Sequence, residues 1–226
     1  MKRYYLYLLA IIPVIIFFTS CSNENSVEPT TEFPHISYDL LLSEINFART
    51  QPAEYAKLIE EMLPYYSDYD GKEGVLLTYP GEISYLMQEG KVAAIEAIEA
   101  LKNQAPVSPL TLLTGLNRAS QNLCDIQGPT GQVGHTAPDG STPTQRVEKF
   151  CTPNANQWGS GENIAYGIHI ARRIIIQLII DDGVPDRGHR INIYEPAWTH
   201  IGFGWGYHKQ YKVMCAMNFS YGYTTK

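Results

Sequence analysis

From Tyr38 onward, apolar positions recur with a helical period. Leu41, Ile45 and Ala48 share one face of a segment running to Arg49, which predicts an amphipathic helix. Pro52 suits the first turn of a second helix, where its missing N–H is no loss, and Tyr55, Leu58, Ile59 and Met62 would face inward. The stretch PYYSDYDGKEG then reads as a loop. Val92, Ile95, Ile98 and Leu101 stripe a third helix. Pro109 opens a fourth, with Leu113, Leu116, Ser120 and Leu123 in register, and Gly128-Pro129 ends it. Ile170 to Ile180 has the β-branched content of a strand, yet Ile170, Ile174 and Leu178 repeat at helical spacing. We expect a helix that is apolar nearly all round and buried on both sides.

The pattern then changes period. In WTHIGFGWGYH, Ile201, Phe203, Trp205 and Tyr207 alternate with Gly202, Gly204 and Gly206. The large side chains would pack one face of a strand, and the glycines would admit another element on the other face. No helix follows these glycines, which excludes a dinucleotide-binding loop. After a turn near His208-Lys209-Gln210, YKVMCAMNF places Tyr211, Val213, Cys215, Met217 and Phe219 on one side of a second strand. Helices flanking a central antiparallel sheet predict a layered α+β architecture.

Composition narrows the setting. The chain has 226 residues, 44% of them hydrophobic, enough for one well-packed domain. A net charge of −6 without a basic patch makes nucleic acid an unexpected partner. Residues 1–20 hold two cations, then an apolar run from Tyr4 to Phe18 that is short for a membrane span of about 20 residues and is broken by Pro13. This is the pattern of an export signal. Its ending, Phe18-Thr19-Ser20-Cys21, resembles a bacterial lipobox, so Cys21 is expected to be lipidated and to anchor the chain to a membrane, each buried CH₂ contributing ~0.8 kcal/mol. Residues 21–36 are polar with two prolines and read as a tether, and 37–226 as one domain. Cys124, Cys151 and Cys215 remain. Cys124 with Cys151 is the first disulfide to test, with buried free thiols the alternative.

Four polar stretches lie between apolar elements: VGHTAPDGSTPTQRV, SGENIAYG, IIDDGVP and RGHRINIY. Each carries a His or a carboxylate beside Gly or Pro, as loops do that bring polar residues to a shared rim. Asp139-Gly140 reads as a turn, and Arg190 as a partner for a carboxylate. His35, His169, His200 and His208 have no supporting context.

SGENIAYG matches the Gly-Glu-Asn-Ile/Leu-Ala signature of the CAP superfamily, the SCP domain of cysteine-rich secretory, antigen 5 and pathogenesis-related proteins. GHTAPDGSTPTQRV resembles its His-containing segment. RGHRINIY followed by HIGFGWG resembles the second His segment and its strand. SEINFARTQPAEYA resembles the first helix, with Asn-x-x-Arg and Pro-x-x-Tyr. The likeness covers Tyr38 to Tyr223 and is greatest to bacterial members with a long loop between the first two helices. It implies a three-layer α-β-α sandwich with a central antiparallel sheet. It also implies a cleft lined by His135, Glu162, His189 and a second acid. Where many members have Trp-x-x-Glu, this sequence has Leu178 and Asp181, with Asp182 adjacent.

The chemistry of such a cleft has three readings. His135 and His189, with ordinary pKa values near 6.5, can bind zinc or another divalent metal as neutral imidazoles, a carboxylate completing the set. Glu162 can act instead as a general base on water in a peptidase-like hydrolase of the cell envelope, or can simply fix the fold by hydrogen bonds. No Gly-x-Ser-x-Gly elbow or activated Cys suggests covalent catalysis. The family is associated with binding of sterols, fatty acids or proteins, with metal binding in the cleft and occasionally with proteolysis. The expectation is an exported, lipid-anchored binding module holding a metal or small ligand, with the hydrolase and an inert scaffold as alternatives.

Overall fold

A computed structural model describes residues 35–226. The expected signal segment, Cys21 and the tether up to Pro34 lie outside the described residues. Ile36, placed at the end of that tether, is buried in the main core instead.

The chain order is α1 (Tyr38–Thr50), α2 (Pro52–Glu60), β1 (Tyr66–Tyr69), β2 (Lys72–Leu77), β3 (Tyr85–Leu86), α3 (Lys91–Asn103), β4 (Thr111–Leu112), α4 (Thr114–Gln127), α5 (Pro143–Phe150), β5 (Cys151–Pro153), β6 (Gly159–Tyr166), α6 (Ala171–Ile180), α7 (Gly188–Tyr194), β7 (His200–His208), β8 (Lys212–Tyr221) and β9 (Tyr223–Thr225). The central sheet has the order β4-β7-β8-β6. Its β6–β8 and β8–β7 ladders are antiparallel, as expected, and β4 adds a two-residue parallel rung at the opposite edge.

Alternation sorts the sheet into two faces. Ala165, Ile201, Phe203, Trp205, Cys215, Met217 and Phe219 pack with α1, α2, α3 and α6. Ile164, Tyr166, Met214 and Ala216 pack with Leu123 and Cys124 of α4. Helices thus cover both sides of a buried sheet, and the layered α+β arrangement follows. The glycines of β7 serve the approach of α4. A Cβ on Gly204 would lie 2.3 Å from the carbonyl carbon of Ser120. The isoleucine-rich α6 is buried on nearly every side, as its pattern predicts.

Several expectations are corrected. PYYSDYDGKEG is not a loop: it forms the β1–β2 hairpin, turning at Asp70-Gly71 with both φ positive, the Asp-Gly signature of a two-residue turn. α3 is rotated from its predicted stripe. Val92 (69% exposed) and Ile95 face solvent, while Ala93, Ala94, Ala97, Ile98 and Leu101 are buried. Small alanines let α3 lie close against α2 and α6. α4 begins at Thr114 rather than Pro109, because Thr111 and Leu112 pair with β7. SGENIAYG is the buried strand β6, and RGHRINIY is helix α7, not loops. The disulfide is absent: Cys124, Cys151 and Cys215 are buried free thiols, and burial raises each pKa, that of Cys151 to about 11.

Candidate functional site

β6 forms an edge of the central sheet and carries the Gly-Glu-Asn motif. Neighbouring side chains on a strand point to opposite faces. Glu162 turns toward α5, where Arg146 meets it, and accepts from Asn218 on the neighbouring strand β8. Asn163 turns toward α7, where its amide donates to the His189 carbonyl at 3.0 Å. One residue step on β6 therefore separates the partners of the two histidines.

On the first face, His135 Nδ1 lies 2.9 Å from Glu162 Oε1. Arg146, on the second turn of α5, donates from Nη2 to both Glu162 oxygens, at 3.0 and 2.9 Å, and to the His135 carbonyl at 2.9 Å. Its Nη1 reaches the Ser141 carbonyl. The guanidinium thus holds both the carboxylate and the backbone of the loop bearing His135. That loop is pinned from behind as well: Tyr166 Oη accepts the Gly134 N–H and donates to Gln127, whose amide donates to the Gly134 carbonyl.

Where α6 leads to α7, His189 Nδ1 lies 2.5 Å from Asp181 Oδ1, and the His189 backbone N–H donates to Asp181 Oδ2 at 2.8 Å. Asp181 ends α6 in the left-handed region, φ 56°, and α7 starts seven residues later. Its carboxylate therefore reaches the first turn of α7 and the ring that turn carries. Asp182 points elsewhere, accepting the backbone N–H groups of Gln88, Glu89 and Gly90. Arg190 pairs with Glu96, as expected of it.

The structure joins the four sequence-predicted residues as two His–carboxylate pairs, every member buried, and ties the His189 backbone to β6 through Asn163. An ionised carboxylate only accepts, so a neutral ring paired with one through Nδ1 donates from that nitrogen. His189 Nε2 is buried and has no hydrogen-bond partner among the described residues. No group of three or more His, Cys, Asp and Glu that could hold a metal occurs among those residues. The carboxylates are turned to the Nδ1 sides of the rings, and Glu162 is saturated by Arg146, His135 and Asn218. Both Glu162 oxygens are thus engaged by neighbouring side chains.

Arg146 carries no motif that singles it out in the sequence, but a signal was present. Thr142 and Gln145 form a reciprocal capping box with Pro143 at the first position, a helix start that places Arg146 one residue beyond the box. Asn192 is a second residue that sequence reasoning missed. It links Asn163 to Trp198, donating to the one and accepting from the other. Beside it lies a hollow of about 280 Å³ lined by Gly159, Ile191, Asn192, Glu195, Trp198 and Tyr221.

The model of the cysteine-rich secretory protein family, CAP, matches residues 53–219, which include His135, Glu162, Asp181 and His189. The chain belongs to the CAP family. Among solved structures, an outer surface protein from Borrelia burgdorferi is 19% identical to this CAP chain, with a TM-score of 0.40, over 53% of this chain and 80% of that one. An extracellular protein containing a SCP domain from Bacillus anthracis is 19% identical, with a TM-score of 0.38, over 59% of this chain. The alignment spans only 39% of that protein's own length. No curated protein matches the chain in sequence.

Proposed function

We propose that this CAP domain is exported, held at a membrane by lipid on Cys21, and binds a divalent metal, zinc or a similar ion, between His135 and His189. The observation that carries the reading is the pairing of each imidazole with a buried carboxylate through Nδ1. That is the outer-sphere arrangement that fixes a metal-binding His in one tautomer and raises its basicity. The buried, unpartnered Nε2 of His189 fits a metal ligand, because such a nitrogen otherwise loses its water without compensation. Two imidazoles leave the remaining coordination positions to water or to a donor on a ligand, which distinguishes this site from a closed structural zinc site. The ion would supply Lewis acidity to such a donor. Glu162 and Asp181 orient the rings, and Arg146 fixes Glu162. The hollow beside Asn192 offers room for the apolar part of a small lipid or peptide ligand.

The test is a zinc titration of the intact chain followed by melting temperature. A ligand at about 100 times its Kd stabilises by ~2.7 kcal/mol, so the wild type should melt several degrees higher with zinc. His135→Ala and His189→Ala should lose that increment, whatever their own melting temperatures. Equal zinc responses in all three proteins would remove the metal centre.

A further inference from the structure

Asp181 has to present its carboxylate to His189 from a backbone that L-residues rarely adopt, with φ at 56°. The loop that follows, Asp181 to Arg187, ends on a second such residue, Arg187 at φ 52°. Both oxygens of the Asp181 side chain are spent on His189. Nothing in that side chain is left to hold its own main chain, so the constraint has to come from elsewhere.

It comes from Gln88-Glu89-Gly90, the three residues leading into α3, more than ninety positions away in sequence. Arg187 donates from Nη1 to the Asp181 carbonyl at 2.9 Å and to the Val184 carbonyl at 3.2 Å. The same guanidinium grips both oxygens of Glu89, at 2.6 and 2.7 Å. Glu89 Oε1 also accepts the Gly183 N–H at 2.7 Å. Asp182 returns the contact, its carboxylate accepting the N–H groups of Gln88, Glu89 and Gly90 at 2.6 to 2.8 Å. Residues 181, 182 and 183 are thus each tied to the same segment, by three different groups. The Arg187 hydrogen bonds are the largest influence holding Glu89 below its ordinary pKa, so it stays ionised at neutral pH.

We infer that Glu89, Asp182 and Arg187 form a latch of positioning residues that locks the Asp181 backbone and so sets the direction in which His189 presents Nε2. None of the three touches the imidazole. The inference rests on the metal-centre reading for its consequence but not for its mechanism. The physical argument is one of precision. A bidentate Arg–carboxylate pair fixes orientation as well as distance, and partners one shell out from a metal ligand typically change affinity by about 10–100-fold when removed.

The experiment uses the full chain in two measurements. The first, without metal, is hydrogen exchange at the His189 amide, which donates to Asp181. The second is Co²⁺ binding read by visible absorption. Glu89→Ala should speed His189 amide exchange and weaken Co²⁺ binding, each about tenfold or more. Glu89→Gln, which keeps an acceptor for Gly183, should fall between it and wild type. Arg187→Lys, with one ammonium in place of the fork, should act like Glu89→Ala and serves if that variant does not fold. Glu82→Gln weakens the more deeply buried Arg173–Glu82 pair at the far end of α6; it should lower the melting temperature and leave both readouts alone. The latch is overturned if Glu89→Ala and Arg187→Lys leave His189 exchange at the wild-type rate, or if Glu82→Gln alters it equally. A wild type that binds no Co²⁺ sinks the metal reading alone, and the exchange measurement still decides the latch.

Discussion

Asp181 and Asp182 are the same residue type side by side, yet one orients a histidine and the other caps the entry to α3. Backbone conformation makes the difference. The left-handed turn at Asp181 aims its carboxylate at the first turn of α7, and the next residue aims away. Sequence could place an acid there, by resemblance, but could not say how it would point. Arg146 is the complementary case, a cation with no motif of its own that is almost completely buried against Glu162. Removing one member of a buried pair strands the other charge, so Arg146→Ala should cost about 3–5 kcal/mol in urea unfolding. The double variant Arg146→Met, Glu162→Gln should recover part of that loss, because the stranded carboxylate is gone. A double variant less stable than Arg146→Ala would show that charge desolvation does not dominate there.

At the scale of the element, the errors share one cause. Periodicity ranks faces by hydrophobicity, whereas packing also ranks them by size. α3 buries its alanines because α2 and α6 lie close, and Val92 and Ile95 are left in water. β6 is fully buried although it contains Ser, Glu and Asn. Those polar groups meet Arg146, His135, Asn218 and α7, none of which can be read from the strand itself. β7 was legible because glycine at every second position, between large apolar residues, matches the two-residue period of a strand with one bare face and matches no helical period. Its energetics can be checked within one strand. Gly204→Ala would drive a methyl into the α4 backbone and should cost at least ~2 kcal/mol. Gly206→Ala meets the Cys124 Cβ at 3.5 Å, an ordinary contact, and should stay within about 0.5 kcal/mol of wild type. Equal effects of the two would contradict the close approach of α4.

Across the whole molecule, one histidine outside the two pairs ties the β7–β8 turn to the loop that leads to His135. His208, at the end of β7, is buried between Tyr166 and Tyr211. Its Nδ1 accepts the N–H groups of Gln210 and Tyr211, and Nε2 donates to the Gln132 carbonyl in the loop that leads to His135. Burial lowers its pKa below the ordinary 6.5, against the opposing pull of the Gln132 carbonyl. The unfolded chain then takes the proton more readily than the folded one. Stability contributed by neutral His208 is complete above pH ~6.5 and declines as the pH falls from there through the folded value. Wild type should lose urea stability between about pH 7 and pH 5, and His208→Gln should flatten that slope; an unchanged slope would exclude His208 as its source.

The sequence by itself determined α1, α2 and α6, the glycine-alternating hairpin, and the family motifs that single out His135, Glu162, Asp181 and His189. Period and composition are local properties, and four ordered motifs survive the loss of every other detail. Only the tertiary structure decided which acid faces which imidazole, that an arginine and a distant glutamate hold them there, and which face of α3 is inside. Those outcomes depend on groups brought together from positions up to about a hundred residues apart, and pairing across such distances leaves no periodic trace in either partner's own segment.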